Sequence, residues 1–375
     1  MSDLFALNPF RLGFGLMRLP KLADGSIDVP QVCEMADRFI AAGGTYFDTA
    51  YVYDGGNSEA AFKAAVADRY PREGYTIATK LHAAAGGVSD ERSAKQEFYT
   101  SLERTGAGYF DFYLLHAIQR STVDKYEEYG LWDFVREQKA KGLIRHWGFS
   151  FHADPDLLEE LLAKYPDTEF VQLQINYADW ENPGVASRKN WEICKAHGKP
   201  VIIMEPVKGG ILADPIPEVR GVFDREGSGR SYASWALRYA ASLDNVLAVL
   251  SGMSDVRQME DNLLSIRDIP LSGPEYELIH QAQAALNADK SILCTACHYC
   301  TPGCPMNIPI PEIFNVVNRR KGSPEFRTLR EYDIVTQGKG KAGDCIACGQ
   351  CEGICPQHLP IIDLLQKCKA DLEKS

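Results

Sequence analysis

Short apolar runs alternate with longer amphipathic ones along the chain. The short runs are RLGFGLMRL (11–19), TYFDTA (45–50), YTIATKL (75–81), FDFYLLH (110–116), IRHWGFS (144–150), FVQLQIN (170–176), PVIIMEP (200–206) and NVLAVLSG (245–252). Apolar, β-branched and aromatic residues follow one another in them, as in strands buried on both faces. Between the runs, stretches such as VPQVCEMADRFIAAGG and DVRQMEDNLLSI repeat their apolar positions at helical spacing. Strand–helix units over about 260 residues predict an α/β chain folded as a closed parallel (β/α)8 TIM barrel. A doubly wound open sheet is the rival architecture, but no GxGxxG follows the first run.

The barrel is expected over residues 1–273. A linking helix is expected over 274–290, starting near Pro274 and ending near Asp289. A small, mainly helical domain is expected over 291–375. Its middle, from Pro309 to about Gln337, reads as helix, turn, helix, with Gly322, Ser323 and Pro324 as the break.

Composition narrows the function classes. Hydrophobic residues make up 45%, enough for a large core, and the formal net charge is −11. An acidic surface disfavours nucleic-acid backbones and anionic membranes as partners. No apolar run approaches the roughly 20 residues that span a bilayer. The start, MSDLFALNPFRLGFG, has no secretory pattern, so a cytoplasmic location is expected. Cysteine usage is lopsided: of the eleven, only Cys33 and Cys194 precede residue 294. That asymmetry suggests a metal module in a reducing compartment rather than disulfides.

Several runs end in a polar residue: Asp48, Lys80, His116, Ser150 and Glu205, with Gln174 inside the sixth. The C-terminal strand ends of such a barrel carry its chemistry, so these side chains should converge on one mouth, with Tyr53 from the following loop. Asp48, Tyr53, Lys80 and His116 form a proton-delivery set. A lysine ammonium favours tyrosinate and should lower a phenol that ordinarily titrates near 10. An aspartate holds the lysine, and a histidine orients a substrate oxygen. The set suits proton transfer to an oxygen while hydride reaches the adjacent carbon, or the reverse. Singly, each residue reads equally well as a helix cap or a satisfied surface group.

FDTAYVYDGGNSEAAFKAAV, the ATK ending at Lys80, the LLH ending at His116 and GLIRHWGFS together resemble the aldo-keto reductase superfamily, over roughly residues 11–267. The resemblance implies Tyr53 as general acid/base, Lys80 and Asp48 as its tuners, and His116 as the substrate-positioning group. It also implies Ser150 and Gln174 as contacts of a nicotinamide amide. The pattern departs from the family in places. Phe151 stands where asparagine is usual, and Met204 where an aromatic often stacks. In LSGMSDVRQMEDN, Gly252 and Gln258 occupy positions where the family carries basic residues, Asn262 closes the motif, and Arg257 is one place off. NADP(H) and NAD(H) therefore both remain open as cofactor. Lys208, with Gly209 and Gly210, reads either as a pyrophosphate cradle or as a plain turn.

The terminal cysteines fall in two runs: Cys294-x2-Cys297-x2-Cys300-x3-Cys304-Pro305 and Cys345-x2-Cys348-x2-Cys351-x3-Cys355-Pro356. The doubled spacing resembles bacterial-type ferredoxins with two 4Fe-4S clusters. In that family the last cysteine of each run serves the other cluster. The resemblance implies Cys294, Cys297, Cys300 and Cys355 on one, and Cys304, Cys345, Cys348 and Cys351 on the other. Structural zinc is the rival, though zinc knuckles usually pair two CxxC steps. Cys33, Cys194 and Cys368 read as ordinary small apolar residues, with surface reactivity a lesser alternative for Cys368. His298 and His358 read as neighbours of a cluster.

Three functions remain open. One is an oxidoreductase that interconverts a carbonyl and an alcohol with a nicotinamide cofactor, its clusters exchanging electrons with a flavoprotein or ferredoxin partner. Another is a ferredoxin-dependent reductase fed one electron at a time, with or without a flavin, for which no motif is present. The third is a non-catalytic electron-transfer subunit. Trp180, in DWENPG (179–184), reads as a ligand-stacking residue or a cover for the barrel mouth.

Overall fold

A computed structural model describes residues 2–288, 291–319 and 325–373. Eight parallel strands close into a barrel in chain order. They are β1 (Leu12–Gly15), β2 (Tyr46–Asp48), β3 (Thr76–Leu81), β4 (Phe110–Ile118), β5 (Ile144–Phe151), β6 (Phe170–Gln174), β7 (Val201–Met204) and β8 (Val246–Gly252). Each lies within or close to one of the apolar runs. The expected TIM barrel is the observed one, and the doubly wound alternative falls. Phe110 to Ile118 and Thr76 to Leu81 are buried at every position, which is why those runs show no alternation. Tyr46, Phe112, Phe170, Ile202 and Ala248 fill the barrel interior.

The helices start where side chains can accept the first free N–H groups. Asp28 accepts from Gln31 N, Asp154 from Leu157 N and Asp255 from Gln258 N. Asp90 and Ser93 form a reciprocal capping box. Met35, Ala36 and Phe39 seat one of these helices on the outer face of β1 and β2, in the same core as Phe14 and Phe47. Among the described residues, no helix is long and apolar enough to cross a membrane.

Beyond β8, a helix runs over Gly273–Ala288 and packs against the helix Pro217–Asp224. The terminal module carries helices Ile310–Arg319, Glu325–Thr336 and Ile361–Leu372 around its own small core of Ile313, Phe314, Tyr332 and Leu365. Two of these bracket the break expected at Gly322, Ser323 and Pro324, which lies outside the described residues.

The module sits on the C-terminal end of the barrel. Arg18 Nη2 donates to Thr295 O at 3.1 Å. Lys208 Nζ donates to Gln357 Oε1 at 2.9 Å, and Ser121 Oγ donates to Gly353 O at 3.0 Å. Gly209 permits the closest approach: a Cβ there would lie 2.5 Å from Thr295 Cβ, at a backbone φ of +63°.

Candidate active site and thiol centres

Strand ends β2, β3 and β4 carry Asp48, Lys80 and His116 to one mouth, and the loop after β2 adds Tyr53. Lys80 Nζ lies 2.5 Å from Asp48 Oδ1 and donates to Thr49 O at 2.6 Å. Gln172 Nε2 donates to the other Asp48 oxygen at 3.2 Å. The ammonium stands 5.0 Å from the centre of the Tyr53 ring. The His116 ring meets that ring edge-on, with centroids 5.7 Å apart. All four residues expected to act together are therefore neighbours.

The electrostatics differ from expectation at Tyr53. Burial, then the charges of Asp48 and Glu205, push its phenol well above the usual range, against the pull of Arg18. Lys80 was expected to lower it, but desolvation is the larger effect. Burial likewise pushes the Lys80 ammonium down, while Asp48 pulls it back. His116 is held neutral by burial, then by Lys80, and its Nδ1 is buried without a hydrogen-bond partner among the described residues.

Two cavities of about 640 Å³ flank this group. One is a groove lined by Arg18, Gly210, Gly252, Arg257, Gln258 and Asn262, among others. The other lies between barrel and module, where Tyr51, His82 and His116 face His298, Tyr299 and Pro302. The second could not be read from sequence, because about a third of its wall comes from the cysteine module. Tyr299, missed by sequence reasoning, is half-buried and stands near Tyr53, Glu205 and Arg18.

The expected nicotinamide contacts divide. Gly210, Gly252, Gln258 and Asn262 share the groove. Asn262 Nδ2 also donates to Ser251 Oγ at 2.7 Å. Arg257, one place off in sequence, reaches the same groove with a largely exposed side chain. Ser150 Oγ instead accepts from Ala117 N at 2.7 Å. Gln174 lines a smaller cavity closed by Pro356 and His358, with Oε1 buried and unpartnered among the described residues.

Lys208 is a correction. Its side chain is 2% exposed, 2.5 Å from Asp179 and bonded to Gln357, so it locks the module to the barrel and faces no open groove. A buried ammonium takes a carboxylate partner before a distant phosphate. Trp180 is another correction. It packs against Trp191 and Tyr239 at 5.6 and 5.9 Å, as part of the helix packing rather than a ligand wall.

The thiols gather as two quartets. Cys294, Cys297, Cys300 and Cys355 line one hollow, with Ile310, Phe314 and Ile361. Cys304, Cys345, Cys348 and Cys351 line another, with Ile308, Ile362 and Leu365. Each set takes its fourth sulfur from the other run. Among the described residues no three Cys, His, Asp or Glu stand at single-ion spacing; the thiols ring their hollows instead. Burial pushes Cys294 and Cys351 up to about 11 and Cys300 to about 12. Cys300, Cys351 and Cys355 are buried, Cys348 is exposed and the other four are half-buried; four thiols converging on one hollow suit a cationic centre that takes them as thiolates, the chemistry of iron–sulfur ligation. Cys194 and Cys368 are buried and Cys33 half-buried, as expected of small apolar residues.

The comparisons agree with this architecture. Residues 11–284 match the aldo/keto reductase family, and residues 293–359 match the 4Fe-4S dicluster domain. The chain belongs to the aldo/keto reductase family, as an oxidoreductase barrel with a ferredoxin-type iron–sulfur domain at its C-terminal end. It is 24% identical to L-galactose dehydrogenase of Arabidopsis thaliana over 75% of this chain and 92% of that protein. It is 30% identical to an aldo-keto reductase of a Mycobacterium species over 59% of this chain and 73% of that one. Among solved structures, the holo form of an aldo-keto reductase from Bacillus halodurans aligns with a TM-score of 0.59 at 25% identity, covering 72% of this chain and 91% of that one. An aldo/keto reductase from Klebsiella pneumoniae, solved in complex with NADP and acetate, aligns at 0.56 and 23% identity, covering 73% and 91%.

Proposed function

We propose that the protein interconverts a small carbonyl compound and its alcohol, with a nicotinamide coenzyme in the groove beside Tyr53 and two 4Fe-4S clusters in the thiol quartets. The observation that carries this reading is the buried Lys80–Asp48 pair beneath the Tyr53 ring, with neutral His116 against its edge. The bound coenzyme would supply the electron pair as hydride. Tyr53, kept protonated by its surroundings, is the donor to the carbonyl oxygen. The Lys80 charge then steadies the phenolate as the proton leaves, and Asp48 holds Lys80 in place. His116, uncharged, orients the oxygen without competing for the proton.

The groove fits a dinucleotide in three ways. Gly210 and Gly252 put no side chain in its wall. Arg18 and Arg257 offer positive charge, and the helix Val256–Ser265 points its N-terminus there. Asp255 and Asp261 stand on the same wall, which leaves NADH and NADPH both as candidates. The cytoplasm, where reduced thiols persist, suits the cysteine module. A flavoprotein or ferredoxin is the partner that single-electron clusters would require.

Tyr53→Phe tests the reading, because it deletes only the transferable proton. Aldehyde reduction coupled to NADPH or NADH should fall by about 10²–10⁴, with folding and iron content unchanged. Unchanged turnover would refute the role of Tyr53. A second reading, in which electrons reach the barrel through the clusters, is favoured by the module's seat over the mouth. Nicotinamide-linked turnover that persists after cluster removal would end that reading.

A further inference from the structure

The two thiol quartets do not have equivalent surroundings. The ligand loop of the Cys294–Cys297–Cys300–Cys355 quartet lies against the barrel mouth. Thr295, between its first two cysteines, accepts from Arg18 and packs on Gly209. Tyr299, between Cys297 and Cys300, stands near Tyr53, Glu205 and Arg18, and it lines the cavity that also holds His116. Gln357, two residues after Cys355, is bonded to Lys208 in the turn that follows β7. Both ends of this quartet are therefore anchored to the loops that build the active site.

The Cys304–Cys345–Cys348–Cys351 quartet lies on the other side of Ile310, which lines both hollows. Both hollows are walled by module residues, so the difference lies in what the ligand loops touch and in how far the sulfurs are exposed. Cys348 is exposed, and Ile346 and Met306 beside it are 59% and 37% exposed. Cys348 thus reaches solvent beside an apolar rim, whereas each cysteine of the first set is buried or half-buried.

Resting on the cluster reading above, we infer that the quartets have different assignments. The Cys294–Cys297–Cys300–Cys355 site is the inner one, which senses the contents of the barrel mouth through Tyr299 and Arg18. The Cys304–Cys345–Cys348–Cys351 site is the outer one, which meets soluble one-electron carriers. The order is solution, outer site, inner site, barrel mouth. Tyr299 is a positioning residue: it closes the substrate cavity from the same loop that wraps the inner site.

Two variants and one probe test the placement in anaerobically purified full-length protein, by EPR-monitored redox titration. Arg18→Gln removes a positive charge beside the inner loop and should lower the midpoint potential of one cluster signal only. Ile346→Glu adds a negative charge at an exposed position and should lower only the other. A soluble dysprosium chelate, added to unmodified protein, should broaden the signal that Ile346→Glu shifts and spare the one that Arg18→Gln shifts. This arm needs no variant to fold. If both variants shift the same signal, or the chelate broadens the Arg18-sensitive signal first, the assignment is overturned. Adding NADP+ should then move the Arg18-sensitive signal; movement of the other alone would equally overturn it. The variants and the chelate act with no nucleotide present, so a nucleotide that fails to bind would refute the coenzyme reading while those shifts still stand.

Discussion

Breaking the Lys80–Asp48 pair tests a fully buried ion pair at the barrel mouth. The side chains are 0% and 4% exposed. Asp48→Asn keeps an oxygen for Gln172 Nε2 but leaves the Lys80 ammonium with Thr49 O as its remaining acceptor. Stranding one partner of a buried pair costs about 3–5 kcal/mol. For a domain of this size that is roughly 2–4 °C of Tm per kcal/mol, or about 6–20 °C in all. Lys80→Met strands the carboxylate instead and should cost a similar amount. The double variant removes both charges, so its loss should fall short of the sum of the singles by about 1–3 kcal/mol. Thermal unfolding followed by near-UV circular dichroism, on cluster-loaded protein, gives all three values. The pH dependence of Asp48→Asn adds a second reading. With its partner neutral, burial dominates at Lys80 and holds its folded-state pKa further below 10.5. Between that pKa and 10.5 the unfolded chain binds more protons than the folded one, so the variant should gain stability as pH rises through the window. Single-variant losses under about 1 kcal/mol, or strict additivity, would show that the pair is not the closed unit described.

Other predictions concern packing, titration and metal. Gly209→Ala forces a Cβ to 2.5 Å from Thr295 Cβ and 2.7 Å from its carbonyl oxygen, at positive φ. Faster iron loss to a chelator, with unchanged barrel circular dichroism, is expected, and an unaltered release rate would contradict the described docking. Glu97 has Oε1 buried without a partner among the described residues, and burial raises its carboxyl to about 8. The folded state then binds more protons than the unfolded one between about 4.5 and 8, so this group's contribution to stability is lost as pH rises through that window. Glu97→Gln should flatten the stability profile there, measured by urea unfolding at several pH values; an unchanged slope would place the proton elsewhere. Removing iron and sulfide should unfold residues 291–375 and leave the barrel folded, read by limited proteolysis; a module that resists protease without metal would refute its dependence on clusters.

Much of this could be read from the order of residues alone. Eight short, mostly apolar runs read as strands covered on both sides, and their alternation with amphipathic stretches favoured a closed barrel over a doubly wound sheet. The repeated cysteine spacing, resembling two-cluster ferredoxins, pointed to the crossed quartets. Asp48, Lys80 and His116 could be placed together because each ends a strand of the same barrel, and all such ends open on one mouth. Other features depended on contacts between distant segments. Lys208, beside two glycines, read equally as a pyrophosphate ligand or part of a plain turn, and Asp179 and Gln357 bury it. Tyr299 carried no sequence signal, because its role comes from the module folding back over strands more than a hundred residues away. The sign of the Tyr53 shift was misread for the same reason. A lysine nearby could be foreseen, but the degree of enclosure by Glu205, Arg18 and the module could not, and enclosure sets the cost of a charge. Periodicity records which side of a strand or helix is covered; only the tertiary structure decides what covers it, and so which polar groups lose their water.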